Sequence, residues 1–243
     1  MRTEEGPPAA SGARRRLLWA ATGVVAAQAA LVSAGPAPSS SPPGSFGLRP
    51  DTPRAALAQL VAGNRRWRTY HERHPDRSAA VRRTLVGSQH PFAVVLGCID
   101  SRVPPELVFD QGLGDLLTVR SAGEVLDEAV LGSIAYGVLE LDVPLVVVLG
   151  HQGCGAVTAA VQAAETRTPL PGHVMYLAEQ IRPVIDFGLQ GRARVDAAVT
   201  ANVRRVRASL TREPDLAPRI AAGRLAVIGA QYELTSQRVH RVD

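Results

Sequence analysis

The sequence predicts an α/β domain with a mostly parallel central sheet flanked by helices and preceded by an N-terminal helical arm. Several short runs of valine, isoleucine and leucine lack the alternation of a half-exposed strand, which indicates strands buried on both faces. Longer amphipathic stretches separate these runs, as expected for strand–helix–strand connections. With 243 residues, of which 46% are hydrophobic, the chain is large enough to bury such a core.

The first 50 residues have a different composition from the rest. Arginines at 14–16 precede the uncharged stretch Leu17–Ala34, which ends in small residues. This pattern is typical of an export signal over residues 1–34, and the arginine run resembles a twin-arginine signal. An uncleaved membrane anchor is the alternative, because 18 apolar residues are near the lower limit for crossing a bilayer. Residues 35–50, rich in Pro, Ser and Gly, predict a flexible linker before a domain over 51–243.

We therefore expect an exported protein of the cell envelope or the exterior, which touches a membrane only if the leader is retained. Net charge is +5, all basic residues are arginine, and aromatic residues make up only 4%. This modest, scattered charge argues against nucleic-acid binding. Two cysteines are too few for a scaffold held by several disulfides.

Helices and strands then alternate along the domain. A first helix begins at Pro53 with Asp51 or Thr52 as its cap, and its apolar stripe consists of Leu57, Leu60, Val61 and Trp67. The remaining segments are, in chain order, a helix over 78–86, a strand over 92–97, a strand over 116–120, a helix over 126–141, a strand over 145–149, helices over 155–164, 174–187 and 192–210, a strand over 225–232, and a small hairpin reaching Val239.

Two of these predicted strands are followed by side chains that bind metals. Cys98 comes directly after one buried strand and His151 after another, with Cys154 three residues further on. The carboxyl ends of parallel strands lie at one edge of a sheet, so the three side chains are expected to converge there. Two thiolates and one imidazole favour zinc over magnesium or calcium, and three protein ligands leave a position open, as in catalytic zinc sites.

Polar neighbours surround this predicted site. Asp100 can accept a hydrogen bond from a bound water, and Arg102 can hold that carboxylate in a bidentate pair. Glycines on both sides of Cys154 allow a close backbone approach, and the Gly155 N–H could donate to a substrate oxygen. Other interpretations remain: a Cys98–Cys154 disulfide, a packed histidine, and an ordinary ion pair.

Four stretches together resemble the β-class carbonic anhydrases, and the similarity runs from about residue 52 to the end of the chain. They are Cys98–Pro104, Phe109–Asp115, Val119–Gly123 and Gly150–Gly155. The resemblance implies a mostly parallel α/β fold and a zinc enzyme that reversibly hydrates carbon dioxide to bicarbonate and a proton. It also implies a homodimer or larger homo-oligomer.

The resemblance assigns roles to individual residues. Its zinc ligands correspond to Cys98, His151 and Cys154, and its catalytic dyad corresponds to Asp100 and Arg102.

A second set of positions corresponds to the family's substrate pocket. Gln89 would hydrogen-bond substrate together with the Gly155 N–H, whereas Tyr136 and Leu117 would line the pocket. Arg120 is expected to form a structural ion pair.

Ile99, Ser121 and Glu124 depart from the family pattern and affect pocket shape rather than metal binding. Three alternatives remain open: a carbonyl sulfide or carbon disulfide hydrolase of the same fold, a non-catalytic zinc protein, and a disulfide-linked module without metal.

Overall fold

The architecture is given by a computed structural model, which describes residues 49–242. The predicted leader over 1–34 lies outside these residues, as does the predicted linker except for its last two positions. Among the residues described, no helix combines the length and apolarity needed to cross a bilayer.

A five-stranded sheet with the order β2-β1-β3-β4-β5 forms the centre of the domain. Its first four strands are parallel, and β5 runs antiparallel to β4 as the predicted hairpin. The strands are β1 (Ala93–Gly97), β2 (Leu116–Arg120), β3 (Leu145–His151), β4 (Ala226–Tyr232) and β5 (Val239–Arg241). Every residue of β1 and β3 is buried, which confirms the prediction made from their unbroken apolar runs.

The helices are α1 (Pro53–Arg68), α2 (Ala79–Thr84), α3 (Pro105–Val108), α4 (Glu128–Leu139), α5 (Gly155–Thr166), α6 (Val174–Ile181), α7 (Gly191–Arg212) and α8 (Ala217–Ala221). The short helices α3 and α8 were not predicted from the sequence. The predicted helix over 174–187 is shorter in the structure, because α6 gives way to a 3₁₀ turn at Arg182–Val184. Pro183 in this turn has no N–H to continue the α-helical bonding.

Helix α1 begins as predicted, with the Thr52 hydroxyl accepting a hydrogen bond from the Ala55 N–H at 3.3 Å. Its buried stripe is narrower than expected. Leu60 is 1% exposed, whereas Val61 is 61% exposed, so the prediction that Val61 belongs to the stripe is wrong. The helix lies so close to α3 that a Cβ added at Gly63 would meet a backbone oxygen, and this contact selects one face of α1.

Both faces of the sheet are covered, because alternate residues of each strand point in opposite directions. On one face, Val94 and Leu96 pack with side chains of α4 and α7. On the other, Val95 packs in a cluster that includes residues of α1 and α3. A third apolar cluster joins α5, α6 and α7 beside the carboxyl ends of the strands and encloses Cys98. The sheet is thus a rigid base for side chains at that edge.

Candidate metal centre

The register of β1 and β3 brings Cys98 and His151 to the same edge of the sheet. Gly97 at the end of β1 pairs with Leu149 of β3, so Cys98 follows level with Gly150, one residue before His151. Cys98, His151 and Cys154 each offer a ligand atom, and these atoms all lie within 4.8 Å of one another. The sulfurs are 3.8 Å apart, and both cysteines are unpaired in the structure. The three side chains converge as the sequence predicted.

A tight turn after β3 delivers Cys154 to this cluster. Gly153 has a φ of 62°, which glycine adopts without steric cost, and Cys154 then caps the N-terminus of α5. The Cys154 side chain makes no capping hydrogen bond, but the nearby Val157 N–H of the first helical turn acts to lower the pKa of its thiol. The helix start therefore places Cys154 beside N–H groups that have no partner inside the helix.

The histidine is oriented to bind a metal through Nε2. His151 Nδ1 lies 3.1 Å from the Gln152 carbonyl oxygen, which fixes the proton on Nδ1 and leaves the Nε2 lone pair available. Nε2 is buried and has no hydrogen-bond partner among the residues described. A buried nitrogen without a partner is costly, and a metal ion bound by Cys98, His151 and Cys154 would satisfy it. This donor set fits zinc.

The two thiols have pKa values that are shifted in opposite directions. Hydrogen bonding from Cys154 holds the pKa of the Cys98 thiol well below its usual value, although burial opposes the shift. His151 and the backbone N–H groups of Gly123 and Asp100 act in the same direction. The same contact with Cys98, together with burial, raises the pKa of the Cys154 thiol.

Asp100 and Arg102 form the predicted pair beside the cluster. Asp100 Oδ2 accepts a hydrogen bond from Arg102 Nη2 at 2.7 Å, and Oδ1 accepts from Nε at 2.9 Å. The hydrogen bond from the Arg102 side chain holds the pKa of Asp100 well below its usual value, so the carboxylate stays ionised. Its Oδ2 lies 3.9 Å from His151 Nε2, so the carboxylate borders the Cys-His-Cys cluster.

Arg120, at the end of β2, supports the same loop from the other side. Its guanidinium donates to the carbonyl oxygens of Cys98 at 2.8 Å and Asp100 at 2.6 Å. Within residues 49–242 no carboxylate forms the ion pair expected for Arg120. Its guanidinium instead binds main-chain oxygens, because the loop after β1 turns these carbonyls towards it.

A buried network behind Cys98 was not predicted. The Gly123 N–H donates to Cys98 Sγ at 3.4 Å, and the Asn202 side chain donates to the Gly123 oxygen at 2.7 Å. Glu124 is only 2% exposed, and burial raises its pKa well above the usual value. Asn202 and Gly123 are 79 positions apart in the chain, and no sequence motif links them.

The residues predicted for the substrate pocket are spread over a wider region. Tyr136 on α4 is 53% exposed, and it lines an open groove with Leu117 of β2. Gly155 is the first residue of α5, next to Cys154 of the cluster. Gln89 is exposed in the segment between α2 and β1, and within the residues described no hydrogen bond joins it to the cluster.

The fold and the cluster together define a protein with a three-ligand Cys-His-Cys arrangement at the carboxyl edge of a parallel sheet. Residues 93–239 match the carbonic anhydrase family model. Carbonic anhydrase 2 of Mycobacterium tuberculosis is 45% identical over 188 residues, which cover 76% of this chain and 91% of that protein.

Solved structures show the same fold. The β-carbonic anhydrase CcaA superposes with a TM-score of 0.63 at 24% identity, covering 77% of this chain and 95% of that one. One of two tetrameric β-carbonic anhydrases from Sordaria macrospora superposes with a TM-score of 0.58 at 22% identity, covering 76% of this chain and 96% of that one. This chain belongs to the carbonic anhydrase family and, by its sheet and its cluster, to the β class. It is an enzyme with carbonic anhydrase activity.

Proposed function

We propose that this enzyme reversibly hydrates carbon dioxide to bicarbonate and a proton at a zinc ion held by Cys98, His151 and Cys154. The observation that carries the proposal is the meeting of three buried ligand atoms within 4.8 Å, with an ionised carboxylate 3.9 Å from one of them. Zinc, when bound, lowers the pKa of a water molecule towards about 7 in the best-known sites.

Asp100 orients the attacking water in this proposal. Its carboxylate is held by Arg102 and can only accept hydrogen bonds. It therefore accepts a hydrogen bond from the water O–H, which directs a lone pair of the water oxygen towards the substrate carbon. Two thiolates would already balance the charge of a divalent cation and weaken its effect on the pKa of a water molecule, so the anionic Asp100 would serve to orient that water rather than to acidify it. The formed Asp100–Arg102 pair also argues against a non-catalytic zinc protein.

Substrate binding is assigned to the remaining predicted residues. The Gly155 N–H, in the first turn of α5, has no partner inside the helix and can donate to a substrate oxygen. Tyr136 and Leu117 provide the apolar wall, and Gln89 supplies an amide to a second oxygen. A small uncharged substrate needs no larger set of contacts.

We also propose a homodimer. Strand β2 is an edge of the sheet with mostly half-buried residues, and the groove beside it presents Tyr136. Natural proteins rarely leave such an edge uncovered, and a second copy would cover it. Sedimentation equilibrium of purified protein should give a dimer or a multiple of it, and a monomer would exclude this part of the proposal.

Export through the leader over 1–34 is a further part of the proposal, supported by its charge and apolar pattern. Sequencing the N-terminus of protein recovered from the producing cells tests it. A start near residue 35 is expected after cleavage, an intact leader in the membrane fraction indicates an anchor, and an intact soluble protein contradicts export.

The main experiment is a stopped-flow carbon dioxide hydration assay combined with metal analysis. Wild type should carry about one zinc per chain, and Cys98→Ser, His151→Ala and Cys154→Ser should each lose it. His173→Ala is the matched control, because His173 is exposed outside the cluster. Full zinc retention in a ligand variant would refute the metal site. Zinc binding without hydration activity would refute the reaction, and carbonyl sulfide and carbon disulfide would then be tested as substrates.

A further inference from the structure

A buried side chain of α7 supports the turn that contacts one of the sulfurs. Asn202 is 2% exposed, and its Nδ2 donates to the Gly123 carbonyl oxygen at 2.7 Å. The N–H of the same Gly123 donates to Cys98 Sγ at 3.4 Å. The amide of Asn202 is therefore connected to Cys98 through a single residue.

The turn at Gly123 and Glu124 needs this support because its backbone conformation is unfavourable. Gly123 has a φ of 66° and Glu124 a φ of 51°, so two consecutive residues are left-handed and the second is not glycine. Inside the turn, the Glu124 N–H donates to the Ser121 oxygen at 3.2 Å. The Asn202 side chain also lies close enough to the Glu124 carboxyl to act on its pKa, in the direction opposite to burial. It thus holds the turn beside Glu124, the residue that favours this conformation least.

We infer that Asn202 is a positioning residue of the metal centre, which keeps the Gly123 N–H on the Cys98 sulfur and so limits electron donation from that sulfur to the metal. The inference rests on the proposed role of Cys98 as a metal ligand. A hydrogen bond to a thiolate withdraws electron density from the sulfur, as in other thiolate metal sites. With two thiolates in the set, weaker donation by one of them keeps the metal a stronger Lewis acid.

The test compares Asn202→Leu with Thr200→Val, two substitutions of similar shape on the same helix. Thr200 Oγ1 donates to Gln231 Oε1 at 3.0 Å, so its loss also leaves a polar group without a partner, but away from Cys98. Both variants should lower Tm. Only Asn202→Leu should weaken zinc affinity, about 10-fold, in competition with a chelator, because the turn at Gly123 would no longer hold Cys98 in position. In cobalt(II)-substituted protein, the sulfur-to-cobalt charge-transfer band should move to longer wavelength in Asn202→Leu alone.

The outcomes separate this inference from the proposed function. If wild type binds neither zinc nor cobalt(II), the metal site itself is wrong. If wild type binds both and Asn202→Leu matches Thr200→Val in affinity and spectrum, Asn202 is only structural and the inference is refuted.

A wild-type measurement keeps the inference testable if Asn202→Leu does not fold. In ¹⁵N-labelled protein loaded with ¹¹³Cd, the Gly123 amide proton should show scalar coupling to the metal through the sulfur. The absence of this coupling would overturn the inference.

Discussion

Replacing Asp100 by asparagine keeps the size of the side chain and removes the charge that faces Arg102. Oδ1 of Asp100 accepts hydrogen bonds from the Arg102 backbone N–H and Nε at 2.9 Å each, and Oδ2 accepts from Nη2 at 2.7 Å. An asparagine has only one acceptor oxygen, so in either orientation its NH₂ group faces a donor of Arg102. The amide is therefore driven from this position, and the acceptor next to the metal ligands is lost.

We expect carbon dioxide hydration to fall about 10- to 100-fold, the usual loss when a partner outside the metal ligands is removed. This range corresponds to about 1.4–2.7 kcal/mol of transition-state stabilisation, at about 1.36 kcal/mol for each factor of ten. A larger effect is not expected from this pair, because the Arg102 side chain is 57% exposed and water screens the charges.

The assay measures kcat/KM by stopped flow, with zinc content and Tm determined on the same samples. Asp142→Asn is the matched control: Asp142 also pairs with an arginine, Arg219, but precedes β3 at the opposite edge of the sheet. Zinc content should be unchanged in both variants. Full activity in Asp100→Asn, an equal loss in Asp142→Asn, or activity that falls only in proportion to zinc would each refute the reasoning.

Three further results are expected. Chelation in air should inactivate the enzyme, because the sulfurs of Cys98 and Cys154 are 3.8 Å apart and can form a disulfide as dioxygen takes up two electrons; recovery with zinc alone, without a reductant, would contradict this. Glu124→Gln should gain stability relative to wild type as the pH rises above about 4.3, because burial raises the pKa of Glu124. The stability that this carboxyl contributes is fully present below its unfolded-state pKa and is lost as the pH rises towards the folded value. Denaturant titrations should therefore give a different gap in unfolding free energy between variant and wild type at about pH 5 and at about pH 8. A gap that stays constant between the two pH values would count against burial. Gly137→Ala should lower the free energy of unfolding by about 1–3 kcal/mol, because its Cβ would lie 2.7 Å from a side-chain atom of β2. On the same helix, a Cβ added at Gly132 meets no other atom, so Gly132→Ala should raise the free energy of unfolding by about 0.4–1 kcal/mol. Equal effects of the two substitutions in thermal melts would disprove the packing argument.

The strands and the metal cluster could be predicted because their signals are local. Runs such as Leu145–Leu149 admit few alternatives to a doubly buried strand, and metal-binding residues directly after two such runs meet wherever the strands are parallel neighbours. The exact ends of elements were less predictable. Pro183 ends α6 early, and Val61 is exposed although its spacing fits the apolar stripe, because the close contact at Gly63 fixes the face of α1.

The support of the cluster could not be predicted, because it depends on tertiary contacts between distant residues. Glutamate is a residue type usually expected at the surface, yet Glu124 is buried. Asn202 is one polar residue in a long helix, and only the packing of α7 against the turn at Gly123 gives it a partner. The sequence analysis expected an ion pair for Arg120, whereas the path of the loop after β1 offers it carbonyl oxygens.

The pairing of β1 with β3 has a consequence for the order of events during folding. Cys98 and His151 are 53 positions apart, and the chain between them contains β2 and α4. Closing such a long segment is entropically costly, so contacts of this kind are slow to form and depend on the rest of the sheet. A fragment or an early collapsed state would hold the ligands far apart and bind zinc weakly. Metal uptake during refolding should therefore mark the completion of the central sheet rather than start its formation.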